Sequence, residues 1–136
     1  MDFERYLQLG KVKRKTPDAI ESEELLRKAE RRIRHLTQQE ITAENADFIF
    51  EGAYESCREA AQALMSLKGF KPYSHEATIS FLKETRDFSD EELNMLDRFR
   101  RLRNDAIYKA VPVLAIDTKE ALEFARYFIK RINGFA

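Results

Sequence analysis

The residues best placed to do chemistry lie between Leu96 and Ala110, in the stretch LDRFRRLRNDAIYKA. At roughly 100° per residue, Leu96, Phe99, Arg103, Ala106 and Ala110 fall on one stripe of a helix, so Arg103 stands where an apolar side chain belongs. Its guanidinium must find an anion, a polar cleft, a carboxylate on a neighbouring helix or a route to solvent. Two readings are open: a structural arginine at the bundle edge, or a group held for a ligand. Arg100, Asn104 and Tyr108 share a second face, while Arg101, Asp105 and Lys109 form an i,i+4 ladder that explains Asp105 as a surface ion pair. Guanidinium forks match phosphate, so Arg100, Arg101, Arg103 and Asn104 form the candidate phosphate-binding set.

The elements that must position these residues are helical. The chain of 136 residues holds only 4 glycines and 3 prolines, too few for a turn-rich sheet protein, and fits one domain, 1–136, with a core that needs no disulfides. Five principal helices and no sheet are expected. The 24 basic and 24 acidic side chains cancel, so no global field draws the chain to nucleic acid or an anionic membrane, and any RNA contact must come from a local patch. Cys57 is alone, which excludes an internal disulfide and a zinc cluster built on paired cysteines. No metal and no cofactor is expected. With no apolar run of membrane-spanning length and a charged start, MDFERYLQLG, the expectation is a cytoplasmic protein with no membrane contact.

In chain order, Phe3 to Leu9 suits a short helix, and Gly10 with KVKRK makes a basic connection to Thr16-Pro17, with Thr16 as cap and Pro17 in the first turn of the next helix. Leu26, Ala29, Ile33 and Leu36 give that helix a buried stripe. Glu23 with Arg27, Glu24 with Lys28 and Glu30 with Arg34 are spaced as i,i+4 pairs, a solvated ladder. A central helix runs from Ala43 to Lys68 on Phe50, Ala53, Tyr54, Cys57, Ala60, Ala61, Leu64 and Leu67, closed by Gly69. Ser74 caps a shorter helix from His75 to Arg86, and Ser89-Asp-Glu-Glu92 is a capping box that sets the register of the arginine-bearing helix. His75, in a first helical turn, reads as packing or capping, and His35 carries no chemistry. Pro112 ends the arginine helix, and Asp117 or Thr118 caps the last one, whose inward stripe is Ala121, Ala125, Phe128 and Ile132. Phe124, Tyr127 and the connection VPVLAI leave apolar surface that points to an oligomer. The expected centre is Phe50, Tyr54, Cys57, Ala61, Leu64, Phe99, Ala106, Ala125 and Phe128.

The run ENADFIFEGAYESCREAAQALMSLKGFKPYSHEATISFL followed by DRFRRLRNDAIYKA resembles the HEPN family (higher eukaryotes and prokaryotes nucleotide-binding), in particular its small prokaryotic members. The resemblance covers most of the chain from Glu44 onward, and Arg103-Asn104 stands at the family's signature position. It implies an all-α, up-and-down helical bundle, a four-helix core plus an extra helix, forming a homodimer whose signature helices face a shared cleft. It also implies either a metal-independent RNase, often a toxin controlled by a minimal nucleotidyltransferase, or a non-catalytic relative. The family motif is Arg, four to six variable residues, then His. Here Tyr108 stands in the histidine's place, so the implied catalytic set is Arg103, Asn104 and Tyr108. Ideal geometry puts Arg103 and Tyr108 about 140° apart on their helix. A tyrosine titrating near 10 is ionised to about one part in a thousand at pH 7, which makes it a poor base. The expectation is therefore a dimeric non-catalytic or degenerate module that binds nucleotide or RNA phosphate, a minimal nucleotidyltransferase, or both. The alternative is an endoribonuclease using Tyr108.

Overall fold

A computed structural model of the chain describes residues 1–135. Its elements run α1 Phe3–Gln8, β1 Val12–Arg14, α2 Ala19–Thr37, α3 Ala46–Lys68, β2 Phe70–Pro72, α4 His75–Thr85, α5 Asp90–Tyr108 and α6 Ala115–Asn133. The fold is all-α, with α3 at its centre, packed against α2, α4, α5 and α6. Alanines 53, 60, 61 and 63 on α3 are buried, and their small side chains let the neighbouring helices come close. Phe50, Phe99 and Phe128 are sealed from solvent where α3, α5 and α6 meet.

The expected centre is buried except for Ala106, which is only partly so because α5 runs out of the bundle over its last turns. Ile107 and Tyr108 are exposed there, and beyond the helix so are Val111, Leu114 and Ile116. Phe124 is buried instead of leaving apolar surface: it stacks on Phe128 at 5.7 Å and packs against Phe99. Tyr127 stays half-exposed, but its hydroxyl donates to Glu92 Oε2 at 2.8 Å.

Several boundaries move, each for a local reason. Asp18, not Thr16, caps α2, its carboxylate accepting from the Glu21 N–H at 2.9 Å. Thr42 and Asn45 first close a turn on each other, so α3 starts at Ala46 rather than Ala43. The last helix starts at Ala115 with no side-chain cap, because the Thr118 hydroxyl is taken by the Ala46 carbonyl at 2.8 Å. Helix α5 stops at Tyr108, with Ala110 left-handed at φ 52° just before Val111-Pro112. In the α2 ladder only Glu23 and Arg27 meet as expected; Glu30 takes Arg27 instead, and Lys28 reaches across to the buried Glu59 of α3, which Arg32 also grips.

The expectation of no sheet fails at one place. Val12–Arg14 pairs antiparallel with Phe70–Pro72, in the register Val12 to Pro72, Lys13 to Lys71 and Arg14 to Phe70. Phe70 packs edge-on against Phe3 and at a tilt against Phe81. Gly69 closes α3 in the left-handed region, φ 87°, and its carbonyl accepts from the Lys15 N–H at 2.9 Å, so one glycine both ends the helix and starts the ribbon.

Candidate functional site

Two caps aim the site. The Ser89 hydroxyl accepts from the Glu92 N–H at 3.1 Å while the Glu92 carboxylate accepts from the Ser89 N–H at 2.8 Å, which starts α5 at Asp90 and fixes its register. The Ser74 hydroxyl accepts from the Ala77 N–H at 3.2 Å and starts α4 at His75. Between the first turn of α4 and the last turns of α5 lies an open cleft of about 360 Å³, lined by His75, Glu76, Arg100, Arg103, Asn104 and Tyr108. A larger depression runs along α2, but its lining mixes that helix's charged side chains of both signs with Ile20 and Leu25 and holds no aromatic or hydroxyl group.

The four arginines of α5 differ in what they hold. Arg98 forks onto Glu120 of α6, with Nη2 to Oε2 at 2.6 Å. Arg100 is held by Asp97 at 2.9 Å and lies 3.8 Å from Glu76 across the cleft. Arg101 also reaches Asp97, at 3.3 Å, with 64% of its side chain exposed. Arg103 is half-buried and, among the described residues, makes no ion pair or side-chain hydrogen bond. A cation drawn partly out of water without a carboxylate beside it keeps its full capacity for an anionic ligand. The side chains of Asn104 and Tyr108 are likewise unpartnered among the described residues, and Tyr108 is 78% exposed on the rim.

Of the residues singled out from the sequence, the fold brings Arg100, Arg103, Asn104 and Tyr108 to one cleft, although α5 stays helical through Tyr108. The cleft is broad enough to be lined from both faces of the helix end. Arg101 lies outside the lining.

The residue that sequence reasoning passed over is His75. Its Nδ1 lies 3.2 Å from the Tyr54 hydroxyl of α3, so it does pack as expected, yet it also lines the cleft. Burial lowers its pKa, and the charges of Arg103 and then Arg58 lower it further, against the opposing pull of Glu55. The imidazole is therefore neutral at pH 7. Burial also raises the Tyr54 hydroxyl well above its ordinary range, so it remains protonated. When Tyr54 donates to Nδ1, Nε2 carries the proton and can donate to an anion; when the hydroxyl turns and accepts from Nδ1, Nε2 becomes a proton acceptor. Nothing local marked this histidine, since its partners Tyr54 and Arg103 lie 21 and 28 positions away in the chain. The one available signal was the Ser74 cap, which orients the first turn of α4.

Among the described residues no group of three histidine, cysteine or acidic side chains could hold a metal ion. Nor is any helix long and apolar enough to cross a membrane. The model of the HEPN domain matches residues 22–135. Comparison with curated proteins finds no match.

Proposed function

The chain belongs to the HEPN-domain family, and from that premise we propose that it is a dimeric, non-catalytic or degenerate module that binds the phosphate of a nucleotide or RNA in the cleft on α5. The observation that carries this reading is Arg103: of the four arginines on the helix it alone has no carboxylate among the described residues, and it lines a cleft with Asn104, His75 and Arg100, which Asp97 holds in place. In this reading Arg103 and Arg100 hold phosphate oxygens, Asn104 donates its amide, and Nε2 of His75 donates the remaining hydrogen bond. In the same reading the protein works in the cytoplasm, binding its phosphate ligand, a minimal nucleotidyltransferase in a pair of toxin–antitoxin type, or both; the family supports this part of the proposal.

Dimerisation is supported by the run of exposed apolar side chains at the end of α5 and the start of α6, where Ile107, Val111, Leu114 and Ile116 stand in solvent in the isolated chain. Light scattering coupled to size exclusion gives the mass directly, and Leu114→Asp with Ile116→Asp should yield a monomer. For the ligand, isothermal titration with AMP is the test. Arg103→Ala should weaken binding at least tenfold and Arg101→Ala should not; equal binding by all three proteins would end the phosphate reading.

A second reading, cleavage of RNA, has one observation in its favour. A neutral imidazole sits in the same cleft as an unpaired guanidinium, and transesterification needs a group to take the 2′-hydroxyl proton and a cation for the charge growing on phosphorus. His75 suits the first task better than Tyr108, because an imidazole offers a ring nitrogen lone pair and a phenol must first lose its own proton to act as a base. Incubating RNA in chelator with the native protein, His75→Ala, Tyr108→Phe and Arg103→Ala decides it: cleavage lost with His75 and Arg103 would displace the non-catalytic reading.

A further inference from the structure

The β1–β2 ribbon is the part of the molecule that the cleft does not explain. The five residues from Lys11 to Lys15 include four basic side chains and no acidic one, in a chain whose charges cancel overall. Lys13 stands directly across the ladder from Lys71, an arrangement in which like charges repel. Lys11 continues the same face, its carbonyl accepting from the Tyr73 N–H at 2.8 Å. By the alternation of a strand, Lys11, Lys13, Lys71 and Tyr73 therefore share the outer face, and all four are exposed. Both central ammonium groups lean on the Tyr73 ring, Lys13 at 5.2 Å and Lys71 at 5.6 Å from its centroid. Among the described residues none of the three lysines pairs with a carboxylate; only Lys15, at the far end, is held, by Glu21.

Like charges kept opposite one another without carboxylates cost the fold something, and an aromatic ring held among them adds a stacking surface. We infer that this ribbon is a docking surface for single-stranded nucleic acid, whose phosphates take the charges of Lys11, Lys13 and Lys71 while a base stacks on Tyr73. A stacking base displaces one ammonium from the ring, and the freed charge meets the adjacent phosphate. The outer face carries no aliphatic side chain to insert into lipid, and it is too short to track a duplex groove. A single strand, with bases free to stack on an isolated aromatic and a backbone that follows cations, fits it. Tyr73 is two residues from His75, a chain reach of roughly 7 Å at most, so the ribbon ends beside the cleft that His75 lines, and a strand bound there is long enough to enter it. Only that last step rests on the phosphate reading of the cleft.

The test is fluorescence anisotropy with labelled twelve-nucleotide U and dT oligomers at several salt concentrations. Lys13→Glu puts a carboxylate opposite Lys71, so a purely structural role predicts equal or higher stability and unchanged binding. The proposal predicts equal or higher stability in thermal unfolding together with a loss of binding of about tenfold or more. It also predicts a log–log salt slope shallower by roughly 0.7 for each lysine contact removed. Tyr73→Ala should also weaken binding about tenfold, and Lys119→Glu, an exposed charge change on α6, should leave it unaltered. AMP binding in the cleft should survive Lys13→Glu and Tyr73→Ala and fail in Arg103→Ala, so the two readings fail separately. Oligomer binding that ignores Lys13 and Tyr73, or that falls equally with Lys119→Glu, overturns the proposal. So does ribbon-dependent binding to anionic phosphatidylserine vesicles or polyglutamate with none to the oligomers.

Discussion

Glu92 should carry a measurable share of the stability, and its share should vanish in acid. It is buried at the start of α5, where its carboxylate accepts from the Ser89 N–H at 2.8 Å, the Tyr127 hydroxyl at 2.8 Å and Arg131 Nε at 2.9 Å. Arg131 is the largest influence, and with the backbone and Tyr127 bonds it outweighs burial, holding the carboxyl down at about 2 against an ordinary 4.5. At about 1.4 kcal/mol for each pH unit of that difference, the ionised group is worth roughly 3 kcal/mol to the folded state. The folded carboxyl releases its proton more readily than the unfolded one. Its contribution is therefore full above the unfolded value of about 4.5 and is lost as pH falls towards 2. Glu92→Gln keeps the shape and the capping acceptor but not the charge. In urea unfolding followed by circular dichroism, it should cost about 3 kcal/mol at pH 7 and less than about 1 kcal/mol at pH 2.5. A cost that is the same at both pH values would mean that packing, not charge, ties α5 to α6, and the reasoning would be wrong.

Three further outcomes follow from the geometry. The His75 imidazole should titrate below the usual 6.5 in nuclear magnetic resonance; Arg103→Ala should raise its midpoint without restoring it fully, because burial is the larger cause. Because the unfolded histidine binds its proton more readily than the folded one, His75 should also destabilise the fold as pH falls below about 6.5, and His75→Gln should remove that dependence. Gly69→Ala should cost more than about 1 kcal/mol in thermal unfolding, since it forces a side chain into the left-handed region with its Cβ 2.9 Å from the Lys15 carbonyl oxygen. Arg103→Leu should leave stability unchanged or raise it, because a partly buried cation without a carboxylate gives way to an apolar group; a loss of several kcal/mol would mark a structural ion pair.

What the sequence by itself determined is what local physics controls. Ser89 and Glu92 bond to each other across three residues, so the start and register of α5 were readable, and with them the face shared by Arg100, Asn104 and Tyr108; that Arg103 lines the same cleft and Arg101 does not was decided by the fold. Gly69 as the end of α3, Ser74 as the start of α4 and the stripes of Leu26, Ala29, Ile33 and Leu36 or of Ala121, Ala125, Phe128 and Ile132 depend only on backbone conformation and helical period. Where two local groups competed for one role, the tertiary structure chose. Thr118 loses its capping role to the Ala46 carbonyl of α3, Lys28 leaves its i,i+4 partner for the buried Glu59, and Phe124 turns into the core because Phe99 and Phe128 offer it a surface. The ribbon is the plainest case. Val12–Arg14 and Phe70–Pro72 are three residues each, too short to show a period, and they become strands only because α3 returns the chain to within hydrogen-bonding distance of its own beginning. For the same reason His75 gained its place in the cleft from the third dimension alone: burial first and the charge of Arg103 second keep it neutral, and its hydrogen-bond partner Tyr54 reaches it from another helix.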